Sequence, residues 1–247
     1  MNRIHTRAIT LLIAACLTAC SDNDAPETTP VVLNPVDEFT SIDEQTGTIY
    51  IKDLPASVGN TYASGHIPVY FNLEKHSIIN PYNNDGIIQE LPEAQIQRAT
   101  WDVAFTSIYN SYITFNNGTT TGTPGFGGPG RGAMIVIDKP FDELDEAPAD
   151  ADFEAFMQNQ TSSGWQDFPV GSKGWYFYRL QSHIMSAISG ITLVFRTADG
   201  KYAKFEMKTV YLGNPESPTV NTPAPYLTFR YYLQNDGSRN LSTRNRQ

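Results

Sequence analysis

A chain of 247 residues with 40% hydrophobic and 12% aromatic content can bury one sizeable core, and its length requires no second domain. Its 26 acidic against 17 basic residues give a formal charge of −9, a field that repels nucleic acid. The two cysteines, Cys16 and Cys20, both lie near the N-terminus, so the body of the chain has no disulfide and relies on packing.

Residues 1–19 read as a secretory signal. Arg3 and Arg7 make a positive start, and Ala8 to Leu17 is apolar but too short to span a bilayer as a helix. Leu17-Thr18-Ala19-Cys20 resembles a bacterial lipobox, in which Cys20 is lipidated and becomes the first mature residue. Loss of Arg3 and Arg7 leaves 15 basic against 26 acidic residues, a mature charge of −11. Acyl chains on Cys20 anchor a domain to a membrane by burying methylenes in the bilayer. From Ser21 to about Gly47 the chain is rich in Pro, Thr, Asp and Glu and poor in aromatics, the composition of a disordered spacer. The expected organisation is therefore a signal over 1–19, a lipidated tether over 20–47 and one domain over 48–247.

Within that domain, β-branched and aromatic runs separated by Gly, Pro, Asn and Asp predict strands. They cover Thr48 to Leu54, Ile67 to Leu73, Thr100 to Thr106, Tyr112 to Phe115, Ala133 to Ile137, Trp175 to Leu180 and Tyr226 to Gln234. Ile191 to Leu212 reads as a hairpin closed by a type I′ turn at Asp199-Gly200. Short helices are expected at Pro92 to Ala99 and at Asp150 to Gln158, where Phe153, Phe156 and Met157 fall on one face. The class is all-β, about ten mostly antiparallel strands with short helical turns. Asn116 to Gly132 is glycine-rich but lacks the Gly-Lys-Ser/Thr ending of a phosphate loop, and reads as a flexible connection. The acidic stretch Asp138 to Glu154 lacks the Asp-x-Asp-x-Asp-Gly pattern of a calcium loop.

Enzyme chemistry has little support. After the signal, three histidines remain, His66, His76 and His183, with no Gly-x-Ser-x-Gly elbow and no free thiol once Cys20 is acylated. A carboxylate-pair hydrolase leaves no local signature among so many acids.

Four segments carry a family resemblance: Trp101-Asp-Val-Ala-Phe105, the glycine-rich run after it, Ile191 to Leu212, and Tyr226 to Leu241. Together they resemble the HmuY family, haem-binding or haem-binding-like lipoproteins of the Bacteroidota cell envelope. Ser21-Asp22-Asn23-Asp24, behind Cys20, resembles the acidic export signal of such lipoproteins. The resemblance implies an outer-membrane, lipid-anchored, surface-exposed protein that captures haem, performs no reaction on it and passes it to a TonB-dependent outer-membrane receptor. It also implies one iron ligand just after a Trp-Tyr strand and a second a few tens of residues upstream, paired histidines in some members and paired methionines in others.

Haem iron takes His, Met, Tyr or thiolate donors. Here the downstream position holds both His183 and Met185, which on an extended segment would face one side. Upstream, Met157 lies beside Phe153, Phe156 and Trp165, either as a ligand or as a core residue. Met134 and Met207 read as core, and His66 and His76 as surface or turn residues. A thioether ligand would favour ferrous over ferric iron. The alternative is a surface lipoprotein of the same fold that binds a glycan or a protein partner through its aromatic residues.

Overall fold

The chain is described by a computed structural model over residues 31–59 and 65–244; the signal, Cys20 and the first part of the tether lie outside these residues. Strands are numbered in chain order. The largest sheet is built from β1 (Leu33–Pro35), β2 (Thr40–Asp43), β3 (Ile49–Pro55), β14 (Tyr226–Leu233), β13 (Tyr202–Thr209), β12 (Thr192–Arg196) and β8 (Ala133–Ile137), in that spatial order. A second sheet runs β5 (Ser77–Ile78), β4 (Val69–Asn72), β6 (Val103–Thr106), β7 (Tyr112–Phe115) and β9 (Ser162–Ser163). β10 (Tyr176–Arg179) and β11 (Ile184–Ala187) form a separate two-stranded ribbon. Neighbouring strands pair antiparallel throughout, so the all-β expectation holds.

The alternation of side chains across each strand places the two large sheets face to face. Phe205, Phe229 and Tyr231 from β13 and β14 meet Phe71 and Phe105 from β4 and β6, with Phe71 to Phe229 and Phe105 to Phe229 both at 5.3 Å between ring centroids. All five side chains are buried. Asp102, before β6, fastens the sheets at one end: its carboxylate accepts from Leu73 N (2.9 Å) and from Ala198 N (3.0 Å). Burial pushes this carboxyl upward, opposed by those two N–H donors.

The helices form where expected but shorter, α1 at Glu93–Ile96 and α2 at Asp150–Met157. Three expectations need correction. β1 and β2 lie inside the segment that composition assigns to the tether; they are mostly polar, and ladder pairing orders them, β1 on β2 and β2 on β3, with Thr40 and Asp43 buried and Ile42 packed against the core. The hairpin β12–β13 forms, but Arg196 pairs with Tyr202, leaving a five-residue connection in which Gly200 alone has positive φ (97°). Thr197 organises that turn, its hydroxyl accepting from Lys201 N (2.9 Å), so no type I′ geometry is needed.

The third correction concerns the glycine-rich segment, which is a packed knot. Asn116 Nδ2 donates to Arg98 O (2.7 Å) and Trp101 O (2.9 Å), and Asn117 Nδ2 donates to Gly132 O (2.7 Å). Gly128 is required because a Cβ there would collide with the backbone carbonyl of Gln97. Gly128→Ala should therefore lower stability by about 1–3 kcal/mol through overpacking, read as a fall in Tm of roughly 2–4 °C per kcal/mol. An unchanged Tm would show that the segment yields freely.

Candidate ligand cleft

A cleft of about 710 Å³ opens where the β10–β11 ribbon meets one end of the large sheets. Its principal side chains are Ile108, Tyr109, Tyr178, His183, Ile184 and Tyr211, and the segment from Thr219 to Ala224 closes a further side. The volume lies in the range of sites that enclose a small molecule, about 300–1,000 Å³.

His183 ends the four-residue connection between β10 and β11 and takes φ 54°, in the left-handed region. That conformation breaks strand alternation, so His183 and Met185 do not share a face as an extended segment would require. The His183 ring reaches back over the ribbon, with Nδ1 2.8 Å from Tyr178 Oη. If Nδ1 carries the proton and donates to the phenol, Nε2 keeps its lone pair; a hydrogen bond of this kind orients a metal-binding imidazole. His183 is exposed, and Tyr178 is held in place by an edge-on contact with Trp165 (5.1 Å), which stacks on Phe168 (4.6 Å).

Tyr109 enters from the opposite wall on a strained turn: Ser107, Tyr109 and Asn110 have φ of 63°, 51° and 52°. Non-glycine residues hold such angles only where surrounding bonds over-determine them. Buried Asn110 supplies those bonds, donating to Ile67 O (2.8 Å) and Phe105 O (3.1 Å) and accepting from Ser57 Oγ (2.8 Å). Tyr211 forms the floor, and its hydroxyl accepts from Met185 N (3.1 Å). Burial pushes the Tyr211 phenol upward, so it stays protonated at neutral pH.

The three candidate donors therefore do not converge. His183 lines the cleft; Met185 lies behind its floor with a side chain 5% exposed, packed into the core. Met157 is 7% exposed on α2, which packs against β8, and Phe153 beside it is fully buried. The sequence alone does not single out Tyr109, Tyr178 and Tyr211, which lie in the β6–β7 turn, inside β10 and just after β13 and share no local signal.

His66 packs behind Tyr109 at 5.0 Å between rings, and its Nε2 is buried without a hydrogen-bond partner. Burial lowers the pKa of this imidazole, so the folded state favours its neutral form. Below the unfolded-state value of about 6.5 the unfolded chain binds the extra proton, and stability falls with pH until the folded-state pKa is passed. His66→Asn should flatten the decline of Tm from pH 7 toward pH 5; an equally steep profile would place the pH sensitivity elsewhere.

The chain belongs to the HmuY family: the family model described as HmuY protein matches residues 67–231, two thirds of its length. Among solved structures it is similar to apo PinO from Porphyromonas gingivitis, at 13% identity and a TM-score of 0.39, over 68% of this chain and 91% of that one. It is also similar to an apo HmuY analogue from Tannerella forsythia, at 17% identity and a TM-score of 0.35, over 76% and 97%. A candidate HmuY-like haem-binding protein from Bacteroides vulgatus aligns at 12% identity and a TM-score of 0.34, over 75% and 90%. No curated protein sequence matches the chain.

Proposed function

We propose that the protein is a haem-binding lipoprotein that captures haem in the cleft between the β10–β11 ribbon and the large sheets. The observation that carries this reading is His183, exposed on the cleft wall with Nδ1 engaged by Tyr178 and flanked by two further tyrosines. A porphyrin needs an apolar and aromatic slot with a donor to iron. Ile108, Ile184 and Tyr109 fit the first requirement and His183 Nε2 the second. Met185 and Met157 would ligate only after leaving the core, so the reading rests on His183.

The protein works as a carrier and catalyses nothing. A donor on a ribbon turn is easily disengaged, which suits transfer to a TonB-dependent outer-membrane receptor. The signal over 1–19, lipidation of Cys20, a tether and placement on the outer-membrane surface complete the reading. Haemin titration of the full chain tests the proposal: a saturable Soret band is expected, and a linear, unsaturable response would overturn it.

A further inference from the structure

A second cleft, of about 550 Å³, lies at the other end of the same strands. Ile49 and Leu233 line it, whereas Gly59, Tyr211 and Ala224 line the cleft at the His183 end. β3, β13 and β14 run between the two, seven or eight residues each, about 25 Å at the rise of a strand. The loops that meet here are the β2–β3, β4–β5 and β12–β13 turns and the residues after β14.

Two side chains here hold unused hydrogen-bonding capacity. Gln234 is 1% exposed; its Oε1 accepts from Gly237 N (3.0 Å), which settles the orientation of the amide, and its Nε2 is buried with no partner. An orphaned buried amide donor costs free energy that a bound acceptor recovers. His76 is held at φ 57° beside it in the cleft wall. Tyr231 Oη donates its proton to Leu73 O (2.9 Å), so the 2.6 Å contact between Tyr231 Oη and His76 Nδ1 must be donated by the imidazole. His76 Nε2 is then left with a lone pair, and burial, the largest influence, lowers the pKa of this ring and favours its neutral form.

Of the charged groups nearby, Lys201 Nζ lies 2.8 Å from Glu74 Oε1, and Asp236 Oδ1 accepts from Ser238 N (2.8 Å). What the buried wall of the cleft offers a ligand is one neutral donor from Gln234 and one neutral acceptor from His76, with an apolar surface from Ile42, Ile49 and Leu233 and the exposed Asn235 and Asp236 at the side. A hydroxyl group both accepts and donates, and the C–H face of a pyranose is apolar. An ammonium group, which only donates, or a carboxylate, which only accepts, would leave one of the two neutral groups unmatched. We propose that this cleft binds a neutral saccharide, with hydroxyls accepting from Gln234 Nε2 and donating to His76 Nε2. The proposal is independent of haem binding at the opposite end.

The test is retention of the full chain on an array of glucose, mannose, galactose and N-acetylglucosamine oligomers together with sialylated and sulfated glycans. The strongest hit is then titrated against Gln234→Leu and His76→Phe. Binding of a neutral oligosaccharide, weakened at least about tenfold by each substitution, is expected, because a site that loses a matched hydrogen bond discriminates by at least that factor. His76→Phe keeps an aromatic ring against Tyr231 and guards against a folding defect in the other variant. Retention of no glycan, retention of acidic glycans alone, or equal affinity in wild type and both variants would overturn the assignment.

Discussion

Lys204→Ala is expected to lower stability by about 3–5 kcal/mol. Lys204 lies in the middle of β13 and is fully buried on the side of the sheet away from the main core. Its ammonium group has three protons, and three acceptors receive them: Phe141 O (2.8 Å), Leu144 O (3.1 Å) and Thr243 Oγ1 (3.0 Å). The Phe141 ring lies 4.5 Å from Nζ. A single side chain thus fastens both the turn after β8 and the C-terminal segment onto the outer face of the large sheet. Truncation leaves the carbonyl acceptors without a donor, each costing about 1–3 kcal/mol, and removes buried methylenes worth about 0.8 kcal/mol each. Lys204→Met restores the methylenes but not the donors, so it should recover only part of the loss. Thermal unfolding should show a fall of roughly 2–4 °C per kcal/mol for a chain of this size. Equal stability of Lys204→Ala and wild type would mean that the carbonyls find water and that the fastening is redundant.

His183→Ala is expected to weaken haem binding at least about a hundredfold, since loss of a partner that merely orients a metal ligand already costs 10–100-fold. Tyr178→Phe, which removes only the orienting phenol at 2.8 Å, should fall within that smaller range. Met185→Ala and Met157→Ala should leave the Soret band in place while lowering Tm, because both side chains are buried in the core and Met→Ala there costs about 2–5 kcal/mol. This pattern separates ligands from packing residues, as spectrum and stability respond to different substitutions. A spectrum lost with Met185→Ala and kept with His183→Ala would require the floor of the cleft to open and would reverse the ligand assignment. With His183 as ligand, the preference for ferrous iron that a thioether would impose should be absent, so ferric haem should bind without penalty.

The residue pattern alone was enough for the all-β class, because the β-branched and aromatic composition of runs such as Tyr112–Phe115, Ala133–Ile137 and Tyr226–Leu233 is a local property that the sheets simply use. The same holds for the β12–β13 hairpin and for α2, where acidic residues open an amphipathic turn. Ladder pairing decided what composition could not: β1 and β2 are polar enough to resemble a tether and become strands because β3 offers backbone partners to β2, and β2 offers them to β1. The glycine-rich segment reads as loose because glycine is permissive in isolation, and its rigidity comes from the buried side chains of Asn116 and Asn117, which reach partners up to 18 residues away. In the candidate site, the sequence named His183 and Met185 together and could not separate them, since two residues apart in a strand means one face. Only the folded chain, by placing His183 in the left-handed region, sends one side chain to the cleft and the other to the core. Tyr109 and Tyr211 join His183 from distant parts of the chain, and their meeting is set by how the two sheets and the ribbon abut, a three-dimensional relation with no trace in local spacing.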